Sequence, residues 1–111
     1  MSSVVTWEAA RHRPRAHDPE GFARVFVGDD SGAERLRMHV SVVGPGQKSH
    51  DPHAHEGEEI IFVLEGRAEF TFRDQTVTAG PQTSVFVGPG EFHGIRNAGD
   101  GLLKYMIIRT V

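Results

Sequence analysis

The chain has 111 residues, a length that makes one domain and lets roughly two thirds of the unfolded surface be buried. Twelve Lys and Arg against fifteen Asp and Glu leave a net charge of −3, which argues against a general nucleic-acid binder. The absence of cysteine excludes disulfides, thiolate metal sites and cysteine nucleophiles, while seven histidines stand beside one tryptophan and one tyrosine.

In chain order, residues 1–21 read as an arm. The start, MSSVVTWEAARHRPR, lacks an apolar core of signal-peptide length. Residues 8–21 are polar and carry Pro14 and Pro19, the composition of an arm or loop. Arg11, Arg13 and Arg15 alternate with His12 and Pro14, a cluster too short for nucleic-acid binding. His12 and His17 read as surface, and Trp7 as an anchor of the arm onto a neighbour.

The body of the domain is expected over residues 22–111. Phe22 to Val27 reads as a short strand, followed by turn chemistry at Asp29-Asp30-Ser31-Gly32. From Arg35 to Val43 the chain alternates, with Leu36, Met38, Val40 and Val42 on one face and Arg35, Arg37, His39 and Ser41 on the other. That is the pattern of a half-buried strand, with His39 on its solvated row. Ile60 to Leu64 is apolar on both faces and turns at Glu65-Gly66; Ala68 to Arg73 returns with Phe70 and Phe72 on one side, before a turn at Asp74-Gln75. Val77, Thr83 to Val87, Phe92 to Asn97 and Leu102 to Ile108 supply further strands between Gly and Pro turns. Short strands at 8–12-residue spacing, with no helical segment, predict an all-β sandwich or barrel.

The longest apolar run is the five residues from Ile60 to Leu64, far below the ~20 that span a bilayer, so no membrane partner is expected. A cytoplasmic location is the default, and lack of cysteine suits a reducing compartment. Two segments are apolar on both faces. Ile61 and Val63 oppose Ile60, Phe62 and Leu64, and Leu103, Tyr105 and Ile107 oppose Leu102, Met106 and Ile108. A small barrel has one interior, so the second face needs a cover. A partner subunit in a homodimer is the expected cover; the alternative is the N-terminal arm.

Four histidines concern one region, with His50, His53 and His55 inside HDPHAHEGEE and His93 far downstream. If residues 53–59 run extended, His53, His55 and Glu59 share a parity and project to one face, continuing into Ile61 and Val63. His50 has the opposite parity and precedes Asp51-Pro52, which makes it the poorer ligand. Two imidazoles and a carboxylate at that spacing suit a divalent transition metal such as Fe, Mn, Ni, Cu or Zn, and His93 offers a third imidazole. The histidine pair alone leaves a solvated loop equally open, with Glu59 as one more charge of the acidic cluster.

The stretch Gly46-x6-His53-x-His55-x3-Glu59-x6-Gly66 resembles the first motif of the cupin superfamily, usually G-x5-H-x-H-x3,4-E-x6-G, with one extra residue after the first glycine. Gly90-x2-His93-x3-Asn97 matches the latter half of the second motif, usually G-x5-P-x-G-x2-H-x3-N. Gly88 stands where proline is common, and the spacing from Gly80 is longer; neither change removes a ligand. The motifs and intervening strands cover residues 45–97. The resemblance implies an all-β jelly-roll barrel with one metal held by His53, His55, Glu59 and His93, and for Asn97 either a structural role or one of supporting the ligands from behind. It further implies activity on a small organic molecule, of dioxygenase, isomerase or lyase type. Three imidazoles and one carboxylate leave two positions of an octahedral ion open for substrate. Glu59 is also the candidate catalytic base, with Lys48, His50 and Tyr105 as weaker candidates. An apolar pocket with few polar groups is expected, favouring a compact or planar substrate. The alternatives are a non-catalytic metal- and ligand-binding module, or a metal that staples the fold.

Overall fold

The structure is a computed structural model that describes residues 2–111. Met1, the first residue of the expected arm, lies outside them. Among the described residues there are nine strands and no helix: β1 (Arg11–Pro14), β2 (Phe22–Val27), β3 (Leu36–Val43), β4 (Glu59–Glu65), β5 (Ala68–Phe72), β6 (Thr76–Ala79), β7 (Ser84–Val87), β8 (His93–Asn97) and β9 (Leu103–Thr110). They form two antiparallel sheets of a jelly roll, one ordered β1-β2-β3-β9-β4-β7 and the other β6-β5-β8. No helix of the described residues is long and apolar enough to cross a membrane.

From β2 onward the strands fall where alternation and turn residues place them. β1 is a correction: residues 11–14 lie within the expected arm, yet pair with β2 from Arg11↔Val25 to Pro14↔Phe22. A polar segment containing proline reads as loop, but at a sheet edge the missing proline N–H breaks no ladder.

The core lies between the sheets. Ile61 and Val63 of β4 and Leu103, Tyr105 and Ile107 of β9 meet Ala68 and Phe70 of β5 and Ile95 of β8. Along the middle of β4 and β9 every second residue enters this core, as the period of two requires. The opposite face of β2 and β9 is covered in part by the arm. Trp7 packs on Phe22 and Phe26, each with ring centroids 6.2 Å away, and Arg24 and Lys104 lie over its ring at 5.4 and 4.5 Å. The tryptophan thus anchors the arm to its own sheet. Farther along this face Leu36, Ile60 and Phe86 remain 56%, 43% and 61% exposed.

β3 corrects the assignment of its faces. Ser41 is fully buried and His39 is half-buried, because the expected solvated row points between the sheets. In the ladder His39 stands beside Ile107 and Ser41 beside Tyr105, both core residues of β9. The interior at this end is a cavity with polar as well as apolar walls, so the polar row can face inward while Val40 and Val42 are buried on the outside.

Candidate metal centre

Three elements aim the histidines. His93 opens β8 and exchanges backbone hydrogen bonds with His53, the His53 amide donating to the His93 carbonyl at 2.9 Å and the reverse at 2.8 Å. The Gly90 amide donates to the His55 carbonyl at 2.8 Å, which ties the same loop to the turn before β8. Glu59 is the first residue of β4. Residues 53–58 are not a continuous strand, which corrects the extended run expected from parity. The chain bends at Gly57 with φ +84°, and a Cβ there would run into the Thr110 carbonyl. The bend, rather than the pleat, returns the chain to β4 with the Glu59 carboxylate among the imidazoles.

The ring centroids of His53, His55 and His93 lie 4.9–5.0 Å apart, and one ligand nitrogen from each falls within 4.8 Å of the others. Glu59, only 7% exposed, places Oε1 3.5 Å from His55 Nε2 and Oε2 3.1 Å from His93 Nε2. Backbone carbonyls fix two rings: His55 Nδ1 donates to Glu56 at 3.0 Å and His93 Nδ1 to Glu91 at 2.9 Å. With Nδ1 protonated, each neutral ring carries its lone pair on Nε2, facing the centre. His93 Nε2 is buried and outside hydrogen-bond alignment despite its approach to Glu59. A buried, unsatisfied imidazole nitrogen is costly in a closed protein, and its lone pair is one that a divalent cation would accept. The donor set fits such an ion: nitrogen and oxygen ligands, with no thiolate.

The electrostatics divide between the ligands: by itself the Glu59 carboxylate favours a proton on His93, the proton a metal would displace. Burial opposes the Glu59 charge, yet the His93, His55 and His53 rings hold its carboxyl below the ordinary range. The Glu59 carboxylate raises His93 against burial, whereas burial and neighbouring imidazoles lower His53 and favour its neutral, ligating form.

His50 stacks on His53 at 4.2 Å, with Nδ1 donating to the Asp51 carbonyl at 2.8 Å, so it flanks the group. Lys48 pairs with Asp51 at 2.7 Å on the exposed side and does not line the cavity. Tyr105 does line it; its hydroxyl shares a 3.0 Å hydrogen bond with Ser49, and burial pushes the phenol pKa up. Of the two roles open to Asn97, its bonds are those of a structural brace: Nδ2 donates to the Val43 and Gly101 carbonyls at 2.9 and 2.8 Å, and Oδ1 accepts from the Gly99 amide. His17 donates to the Lys48 carbonyl, and His12 stacks on Phe22, both away from the centre.

The cavity beside the histidines measures about 270 Å³. It is more polar than expected. Ile61, Ile95 and Ile107 supply apolar wall, while His39, Ser41, Ser49, Arg13, Arg15 and Arg109 line the remainder. His39 and the arginines are the site residues that sequence reasoning missed. Their signal was the two-residue period itself, visible in Arg11-His12-Arg13-Pro14-Arg15 and along β3.

A family model described as a cupin domain matches residues 39–109. Among solved structures, the chain is similar to the polyketide cyclase RemF from Streptomyces resistomycificus at 25% identity, covering 99% of this chain and 80% of that one, with a TM-score of 0.82. A predicted oxalate decarboxylase from Thermotoga maritima is 22% identical over 98% and 99% of the two chains, with a TM-score of 0.84. A sugar phosphate isomerase from Silicibacter pomeroyi is 20% identical over 98% and 76%, with a TM-score of 0.83. No curated protein matches the sequence.

Proposed function

Because the chain belongs to the cupin domain family, we propose that it is a metal-dependent enzyme acting on a small organic molecule, with one divalent transition metal held by His53, His55, His93 and Glu59. The observation that carries this reading is the buried Nε2 of His93, unsatisfied and facing two further imidazoles and a carboxylate. The bound ion would supply Lewis-acid polarisation of a substrate oxygen, or redox chemistry in an iron or copper form.

The remaining work falls to the chain's own groups. Glu59 either completes the ligand set or takes a substrate proton on its carboxylate. Both roles need it ionised, and the imidazoles keep it so. Tyr105 holds its proton and presents a phenol to the cavity, with Ser49 orienting it. Ile61, Ile95 and Ile107 exclude water from one wall. A volume of about 270 Å³ admits a compact substrate.

The similar solved structures are named for cyclisation, decarboxylation and isomerisation, and a shared fold does not choose among reactions. Dioxygenase, isomerase and lyase chemistry are therefore screened together. The test is turnover of diketones, flavonols and uronates by protein reconstituted with Fe(II), Mn(II), Ni(II) or Zn(II). Activity that disappears on chelation while the fold persists supports the reading. Collapse of the fold on chelation instead makes the metal a structural staple. We further propose a homodimer formed through the exposed Leu36, Ile60 and Phe86 face; the support is an uncovered apolar row on a sheet whose other end the arm already covers.

A further inference from the structure

We propose that Arg13, Arg15 and Arg109 form an anion-binding subsite beside the three histidines, so that the molecule taken by this pocket is a small organic acid whose carboxylate lies against the guanidiniums. The inference rests on the reading of the cavity as a small-molecule site and names the class of that molecule.

Three observations carry it. The first is placement. Arg13 pairs with Ala23, which pairs with Ser41, which pairs with Tyr105, so Arg13 shares the face of cavity residues across four strands. Arg15 continues the same parity, and Arg109 stands opposite Glu59 in the β4–β9 ladder. All three line the cavity. The second is charge. None of the three makes an ion pair among the described residues, whereas Arg37 and Arg96 pair with Asp29 and Glu69. Burial and the neighbouring Arg15, Arg11 and Arg109 lower the Arg13 pKa, the mark of cations crowded without a counter-charge. The third is an orphan. Arg15 Nε is buried without a partner, while Nη2 of the same group donates to Ser41 Oγ at 3.3 Å. A planar guanidinium with a free donor edge matches the two oxygens of a carboxylate.

The solvated-arm reading accommodates the exposed Arg13 but not Arg15 and Arg109, which are both half-buried against the cavity. Arginines free to extend into water have no reason to turn into a cavity, and a chain of net charge −3 has acids to spare for pairing them.

The probe is benzoate, a planar monocarboxylate that fits the volume, with benzamide as its neutral counterpart and inorganic phosphate as the competing oxyanion. Calorimetric titration of metal-free protein is expected to show saturable benzoate binding that weakens with salt, and no comparable binding of benzamide. Arg15→Gln and Arg109→Gln are each expected to weaken benzoate at least about tenfold, the loss of one charge-assisted hydrogen bond, with partial recovery in Arg15→Lys. Arg13→Gln, on the exposed edge strand, gives a variant whose folding is not at risk. Arg96→Gln, outside the cavity, should bind as the unmodified protein does. Equal affinity for benzamide, unchanged binding in all three cavity variants, or tighter binding of phosphate would overturn the inference. Metal uptake by the same samples separates the two readings. Normal uptake without a benzoate preference removes the subsite alone, and arginine-dependent benzoate binding without metal uptake removes the metal centre alone.

Discussion

At the scale of single residues the site depends on which protons are held where. His55 and His93 spend Nδ1 on carbonyls and keep Nε2 for the centre, and Glu59 stays ionised because imidazoles surround it. Glu59→Gln keeps the shape and removes the charge. It is expected to lower metal affinity by more than about tenfold while the thermal midpoint of the metal-free protein changes little, measured by competition with a chromogenic chelator. Affinity equal to that of the unmodified protein would take Glu59 out of the ligand set. His39 gives a different test. Burial, followed by Arg13, Arg15 and Arg109, lowers its pKa to about 4. The unfolded chain binds this proton near pH 6.5 and the folded chain only near 4, so stability is full above 6.5 and falls as pH drops through that window. The shift corresponds to about 3 kcal/mol, read as the difference between unmodified protein and His39→Asn in urea unfolding at pH 7 and pH 4. Equal pH dependence in both would show that His39 is solvated.

At the scale of elements, β1 and its connection to β2 decide whether the arginines reach the cavity. The connection is fastened by Asp18, a buried carboxylate whose Oδ2 accepts the Gly44 amide at 2.9 Å and whose Oδ1 accepts the Glu20 amide at 3.1 Å. Gly44 is glycine for a reason of space, since a Cβ there would lie 2.8 Å from Asp18 Oδ1. Asp18→Ala leaves the Gly44 amide without its partner and is expected to cost about 1–3 kcal/mol, with faster amide exchange across β1 and weaker benzoate binding. Stability loss with β1 exchange unchanged would show that Asp18 does not fasten the strand. None of this was legible beforehand. Asp18 lies between His17 and Pro19 in a stretch with the composition of a loop, and β1 lacks the apolar alternation by which strands announce themselves. β4 and β9 were legible in both faces, because their inward rows fill an apolar core. β3 was legible as a strand and misread in orientation, because its inward row lines a cavity with polar as well as apolar walls, where the rule of apolar-inside does not hold.

At the scale of the molecule, the grouping of His53, His55, Glu59 and His93 was legible through the motif resemblance rather than through spacing alone, which left a solvated loop open, and the bend at Gly57 that assembles the group is a tertiary matter. The cover of the large sheet divides between the arm, which Trp7 fastens, and a face left open at Leu36, Ile60 and Phe86. Light scattering is expected to give twice the chain mass for the unmodified protein and the single mass for Ile60→Glu/Phe86→Glu, with an unchanged circular dichroism spectrum. A monomeric unmodified protein would leave the arm as the sole cover. Whether the three histidines hold a metal is read from metal content after loading with Ni(II) and desalting. One ion per chain is expected in the unmodified protein and less than about a tenth of that in His53→Ala, His55→Ala and His93→Ala, all folded. One ion per chain retained by any two of these variants would contradict this ligand assignment.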